Sequence, residues 1–336
     1  MDMTGAGPTI PVIFCVDVEP DPRLVDRLAP EPWLGYEFCQ GYLEELRSRI
    51  EGLIGAPAHY SWFLRMDPQI TDSYGSPTFL ADRYANHLSD IAKRGDEIGL
   101  HLHSWRWLAG DGTWIQDWGD QEWVEHCLRM AIEAFATAFG RRCESFRFGD
   151  GWLNTRTVAL AEELGVRYDL TVEPGRPQKA TANDGERGSG RLPDYRRVPR
   201  EPWVPSTVDF RRPAADTSRK IVMIPLTSAY HRVGLHPVAF VRRILGNGFR
   251  HRLQDTPLMM FNDWTAPNLF STMLDRALSR QRHPYLAFAV RTDFGVIGPQ
   301  LQFVKRSLRA LLEHPAAPRL RFCTPAEGLR VLAAHA

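Results

Sequence analysis

No stretch of this chain stays apolar for the roughly 18 residues that a membrane-crossing helix needs, so no transmembrane segment is expected. The opening MDMTGAGPTI lacks the basic-then-apolar layout of an export signal, and the expectation is a cytoplasmic protein. An excess of one charge is missing too. The 41 Lys and Arg residues against 40 Asp and Glu leave a net charge of +1, which removes the electrostatic case for nucleic acid as a partner. Cysteine is scarce and scattered: Cys15, Cys39, Cys127, Cys143 and Cys323 are odd in number and show no CxxC spacing. That excludes a disulfide frame and a cysteine-ligated zinc, and fits reduced thiols. What the chain does have is length and apolar content. With 336 residues, 43% of them hydrophobic, it can bury a large core and suits one α/β barrel of about 250 residues with insertions.

Short apolar runs alternate with amphipathic segments, the pattern of a parallel sheet or barrel. Strands are expected at Val12 to Val18, His59 to Leu64, Glu97 to His103, Ser145 to Gly149, Arg167 to Val172, Ile221 to Leu226, Tyr285 to Arg291 and Leu320 to Cys323. Helices fall between them. YEFCQGYLEELRSRIEGLIG predicts a buried stripe of Phe38, Tyr42, Leu46, Ile50 and Leu53, and QEWVEHCLRMAIEAFATAFG one of Trp123, Cys127, Met130 and Phe135 with Gly140 as its C-terminal cap. Further helices are expected at Leu80 to Arg94 and Ala326 to Ala334. The segment 174–220, rich in Pro, Gly, Arg and Asp, breaks the alternation and reads as a loop insertion, with Gly175 to Gly190 mobile and Trp203 folding against the rim.

Polar groups gather where the apolar runs end. In GDEIGLHLHSWRW, period-two alternation sends His101, His103 and Trp105 to one side of a strand, which is chelate geometry for zinc or a similar divalent ion. PVIFCVDVEPD ends a buried strand with Asp17 and Glu19, again two residues apart, and two such acids are costly there unless solvated, paired or bound to metal. Arg65 with Asp67, Arg147 with Asp150, Asp169 with Glu173, and Arg291 with Asp293 repeat the pattern, which in a parallel barrel places them on one catalytic rim. For Arg65 and Asp67 a structural ion pair is the expected role.

Taken in order, FCVDVEPD, GDEIGLHLHSW, SFRFGDGWLNTRTVALAEELGVRYDLTVEPG and RFCTPAEGL resemble the polysaccharide deacetylases, the NodB-homology group of carbohydrate esterases. The likeness spans Pro11 to Leu332, and with IVMIPLTS it looks nearest to members from lipopolysaccharide and capsule biosynthesis. It implies a single NodB-homology domain over 11–332, a distorted (β/α)7 barrel, and metal-dependent hydrolysis of an N-acetyl or O-acetyl group on a carbohydrate substrate in surface polysaccharide metabolism. The resemblance implies Asp17 as catalytic base and Glu19 or Asp17 as the acidic ligand of a divalent ion, zinc being the expected one. It further implies His101 as the first metal histidine, Arg147 as the residue that orients the catalytic carboxylate, and Asp169 in the motif lining the acetyl pocket.

Two positions depart from the family pattern. Its metal pair is His-x-x-x-His, whereas Trp105 stands four residues after His101, leaving His103 as the second ligand. Its late histidine, the proton donor, is replaced by Arg291, which cannot donate at neutral pH. His231 or His236 could assist an ester substrate, or be ordinary surface residues. Trp105 and Trp203 are candidates for stacking on sugar rings. A second reading is therefore a barrel that kept a carbohydrate groove and lost its metal. A third is a glycoside hydrolase pairing Asp17 with Asp150 or Glu173.

Overall fold

A computed structural model of the chain describes residues 7–30, 32–180, 186–215, 219–231, 256–259, 267–293 and 298–335. Its centre is a ring of parallel strands, here β1 (Ile10–Val18), β2 (Ser61–Arg65) and β3 (Glu97–Leu102), followed after a hairpin by β6 (Ser145–Phe148) and β7 (Tyr168–Asp169). The hairpin is β4 (Trp105–Leu108) with β5 (Thr113–Asp117), and β8 (Gly188–Ser189) from the 174–220 insertion pairs with β5. Then come β9 (Val222–Met223), an antiparallel pair β10 (Ser228–His231) and β11 (Thr256–Met259), β12 (Leu286–Arg291) and β13 (Leu320–Phe322).

The central order is β12-β1-β2-β3-β6-β7-β9, with β13 also pairing β1. Its two ends meet just past β9. Thr227 N donates to Ala287 O at 2.8 Å, Ala287 N donates back to Thr227 Oγ1 at 2.8 Å, and Tyr285 Oη donates to Pro225 O at 2.6 Å. A two-residue β9 cannot supply a full ladder to β12, so side-chain and loop hydrogen bonds complete the ring, which gives the expected (β/α)7 barrel its distortion.

Strand alternation divides the interior from the outer layer. Val12, Phe14, Val16 and Val18 of β1, Trp62 and Leu64 of β2, Ile98, Leu100 and Leu102 of β3, and Leu286, Phe288 and Val290 of β12 join the core packed against the helices. The intervening residues point inward, where Ile13, Cys15, Phe63, Leu170, Ile224, Leu226, Ala287 and Ala289 form a second apolar cluster. The inward series on β1 is therefore Ile13, Cys15, Asp17 and then Glu19, which is how two acids come to stand inside a barrel.

All eight expected strands are present within a few residues of their predicted limits. The helices differ in detail. Leu34–Ile54 buries Tyr36, Cys39, Leu43, Leu46 and Ile50, while Phe38 and Leu53 are exposed, so the predicted stripe is rotated along one side. Phe38 and Tyr42 stack on each other at 6.2 Å at the edge of the core, Phe38 exposed and Tyr42 partly buried. Gln121–Phe139 buries Val124, Cys127, Leu128, Ala131 and Phe135 and ends on left-handed Gly140 as expected. The helix expected over Leu80 to Arg94 is two, Phe79–Arg83 and Ala85–Lys93, broken at Tyr84, whose hydroxyl donates to Glu37 at 2.8 Å. Among the described residues no helix is long and apolar enough to cross a membrane.

One buried ion pair fastens the outer layer. Asp96 receives Arg47 Nη1 and Nη2 at 2.9 and 2.5 Å, Tyr60 N at 3.0 Å and Trp62 Nε1 at 2.9 Å. Asp96→Ala leaves the Arg47 guanidinium buried with only Glu44, 3.3 Å from its Nε, as counter-charge and strands two N–H donors. The expected cost is about 3–5 kcal/mol, read from urea unfolding midpoints; a loss below about 1 kcal/mol would mean that Arg47 finds another partner.

Candidate metal centre

The ladder registers bring the polar inward residues to one level of the barrel. Arg65 pairs with His101, His101 with Arg147, and Asp17 with Arg291. The β1–β2 register, Asp17 with Phe63, sets Glu19 beside Arg65 when carried two residues on. Paired residues of a parallel ladder face the same side, so this level collects two acids, three arginines and an imidazole around one axis.

Glu19, His101 and His103 offer three ligand atoms within 4.8 Å of one another. Glu19 Oε1 lies 3.0 Å from His101 Nε2 and 3.1 Å from His103 Nε2, and the three residues are 4%, 2% and 1% exposed. Ligand atoms about 2.0–2.1 Å from a tetrahedral zinc stand about 3.3–3.4 Å apart, so the donor set fits one shared ion. His101 Nδ1 makes no hydrogen bond, with Asp17 Oδ1 3.9 Å away, and His103 Nδ1 accepts from Gln116 Nε2 at 2.8 Å with Asp150 Oδ2 3.4 Å away. The amide can only donate, so the His103 proton stands on Nε2 in this arrangement and leaves when that nitrogen binds a metal.

Burial alone would push these acids up, and the neighbouring cations overcome it. Arg147, through Nε–Oδ1 at 2.6 Å and Nη2–Oδ2 at 2.8 Å, and then His101 hold Asp17 below the usual carboxylate range. For Glu19 burial is outweighed by His103, by Arg65 with Nη1 at 2.5 Å from Oε2, and by His101, which hold it well below. Burial lowers His103, but Glu19 and Asp150 together outweigh it and its net shift is upward. Asp150, opposed by the same desolvation, is held low by Arg23 at 2.6 Å and by His103. Every acid in direct contact with the imidazoles is thus ionised, the state that a divalent cation requires of its surroundings.

The expected site residues fare differently. The structure brings Asp17, Glu19, His101, His103 and Arg147 together at the C-terminal ends of β1, β3 and β6. Asp169 lies deeper, fully buried, with Oδ1 accepting from Thr171 N at 2.8 Å and Oδ2 without a hydrogen bond among the described residues. Burial raises it to about 7. Trp105 and Trp203 need correction as sugar-stacking residues, being only 1% and 6% exposed. Trp105 packs nearly parallel to His103 at 6.0 Å, with the Arg23 guanidinium 4.9 Å from its ring, so it buttresses the imidazole. Trp203 donates through Nε1 to Phe210 O at 2.9 Å and anchors the insertion against Met223. His236 lies outside the described residues, as do 181–185 in the stretch expected to be mobile.

Several contacts escaped the sequence reading, although Arg65 and Asp150 were expected on the rim. Arg65 binds Asp67, as expected, but reaches Glu19 as well. Gln116 on the unforeseen β5 bridges His103 and Asp150, the latter at 2.7 Å. Asp150 has φ +60°, a conformation uncommon outside glycine, in the turn GDG that follows β6. Arg23 ties Asp150 to Glu186 of the insertion, at 2.5 Å, over the same imidazole. GDG is the one visible signal: a glycine pair around an acid after a strand marks a sharp turn.

No protein-family model and no curated protein sequence matches the chain. Solved structures do. A protein described as a polysaccharide deacetylase from Mycobacterium smegmatis is 15% identical, with 98% of this chain and 93% of that one covered at a TM-score of 0.50. One described as a glycoside hydrolase/deacetylase from Parabacteroides distasonis is 16% identical, with 98% and 72% covered and a TM-score of 0.54. An allantoinase is 14% identical, with 97% and 90% covered and a TM-score of 0.51. The resemblance to polysaccharide deacetylases expected from the motifs holds at the level of the fold.

Two outcomes test this geometry. A Cβ on Gly149 would fall 2.1–2.4 Å from three His103 ring atoms, so Gly149→Ala must move the imidazole or the turn. The expected result is a loss of about 1–3 kcal/mol in stability together with shifted His103 ring resonances in NMR spectra; unchanged values would show the ring free to yield. Asp169, about 7 when folded and near 4 when unfolded, binds more protons folded than unfolded between those values, so its contribution to stability falls as pH rises from 4 to 7. Asp169→Asn removes this slope and is expected to be the more stable protein at pH 8, with the advantage shrinking toward pH 4 in parallel denaturation series.

Proposed function

We propose that this protein is a metal-dependent deacetylase that hydrolyses an N-acetyl or O-acetyl group on a saccharide. The observation that carries the reading is the convergence of both imidazole Nε2 atoms on one carboxylate oxygen inside the barrel, at 3.0 and 3.1 Å. Glu19, His101 and His103 are the proposed ligands, with zinc the preferred ion for a set of two imidazoles and a carboxylate. When bound, such an ion polarises an acyl carbonyl and lowers the pKa of a coordinated water. Asp17, kept ionised and fixed in plane by Arg147, is the proposed proton acceptor for the attacking water. Arg65 positions Glu19, while Asp150, Gln116 and Trp105 fix the His103 ring.

The fold likeness to deacetylases supports a carbohydrate substrate, and the motif order supports a place in surface polysaccharide metabolism. The five free, buried cysteines support a reducing, cytoplasmic setting. A glycoside hydrolase would need one protonated and one ionised carboxyl, yet Asp17 and Asp150 are both held ionised, which disfavours that pairing.

Metal analysis and acetate release test the proposal together. Wild-type protein purified with zinc is expected to hold about one ion per chain, by the one ligand set among the described residues. His101→Ala is expected to lose most of it and to release no acetate from acetylated amino sugars. Metal-free wild type and variant, both inactive, would replace this reading with a carbohydrate-binding barrel.

A further inference from the structure

Three arginines share the level of the proposed metal centre and a fourth, Arg23, lies over it. Most of their donors are occupied. Arg147 uses all three side-chain nitrogens, on both oxygens of Asp17 and on Leu170 O, and Arg65 uses all three on Glu19, Asp67 and Gln69. Arg23 grips Asp150 and Glu186. Arg291 differs: its Nη2 donates to Asp293 Oδ2, and among the described residues neither Nη1 nor the buried Nε makes a hydrogen bond. Its side chain is also the most open of the four, 37% exposed against 1%, 6% and 16% for Arg65, Arg147 and Arg23.

The strand fixes where this open guanidinium stands. The β1–β12 ladder ends on the pair Asp17 and Arg291, so the two side chains leave adjacent strands toward the same side. Ala287 and Ala289, of the same parity on β12, line the interior. Thr292 pins the strand end: its N donates to Asp17 O at 3.0 Å, and its Oγ1 receives Glu19 N at 2.9 Å and donates to Glu19 O at 3.1 Å. Arg291 is therefore held beside the proposed base, with Glu19, Arg23 and Asp150 among its charged neighbours.

We infer that Arg291 selects an acidic saccharide: its open edge binds a carboxylate or phosphate carried by the acetylated sugar itself. The inference rests on the deacetylase reading above and names the substrate class of that site. A guanidinium keeps its charge at every working pH and presents its N–H groups in a planar fork that matches an oxyanion, so it favours an anion over a neutral hydroxyl. Asp17 and Glu19 do not forbid an anion nearby. Arg147 covers both oxygens of Asp17, and Arg65 with the two imidazoles covers Glu19, which leaves Arg291 the cation at this level with donors to spare.

Matched sugars test the assignment: N-acetylglucosamine, its 6-phosphate, and N-acetylglucosaminuronic acid share the acetamide and differ in charge. Zinc-loaded wild type is expected to favour one charged sugar over the neutral one by about 10-fold or more in kcat/KM, the range of a charge-assisted hydrogen bond, and the better of the two identifies the group. Arg291→Gln should bring that ratio near one, chiefly through KM, and Arg291→Lys, which keeps the charge without the fork, should retain part of it. A wild type that favours neither charged sugar, or a ratio that survives both substitutions, overturns the assignment and leaves the deacetylase standing. If zinc-loaded wild type cleaves none of the three, the deacetylase reading falls, and calorimetric binding of the same sugars judges Arg291 separately. Tighter binding of a charged sugar that Arg291→Gln abolishes supports its role, and equal binding of all three by wild type overturns it.

Discussion

Asp17 and Glu19 continue an inward row that begins with Ile13 and Cys15, so two carboxylates project into space lined mostly by apolar side chains. Desolvating an isolated carboxylate costs several kcal/mol, and everything else at this level of the barrel offsets that cost. Arg147 spans both oxygens of Asp17, Arg65 holds one oxygen of Glu19, and two imidazoles share the other. These cations carry counter-acids in turn, Asp67 on Arg65 and Asp150 near His103. The result is a closed electrostatic network in which Glu19 Oε1, the acceptor shared by both imidazoles, has the spacing of a metal vertex.

That network also explains why the surrounding loops are built as they are. Asp150 can reach His103 only because the chain turns sharply between two glycines, at a positive φ that most side chains avoid. Such strain persists where neighbouring contacts hold it, and here Arg23, Gln116 and His103 all bind the same carboxylate. The hairpin β4–β5 exists to deliver Gln116 and Trp105 to this place, and the insertion is tied to it through Glu186. Reactive sulfur is absent from the chemistry: burial lifts the Cys15 thiol to about 12, though it neighbours Asp17 and Arg147.

Much of this was legible in advance. Period-two alternation at the ends of apolar runs marked Asp17 with Glu19 and His101 with His103 as same-side pairs, and the eight strands of the central sheet followed from the spacing of those runs. Helix faces read less well, because an exposed Phe38 stacks on a partly buried Tyr42 at the edge of the core while Tyr36 and Cys39 turn inward. Tryptophans misled for a related reason: Trp105 and Trp203 have polar N–H groups that suggest a ligand surface, yet both are packed away. The sequence by itself determined which residues share a face of a strand, because that depends only on backbone geometry. Only the tertiary structure decided that Glu19 on the first strand meets two imidazoles from the third, and that Asp150 and Gln116 stand beside His103. Those meetings depend on ladder register and ring closure, which no local pattern encodes.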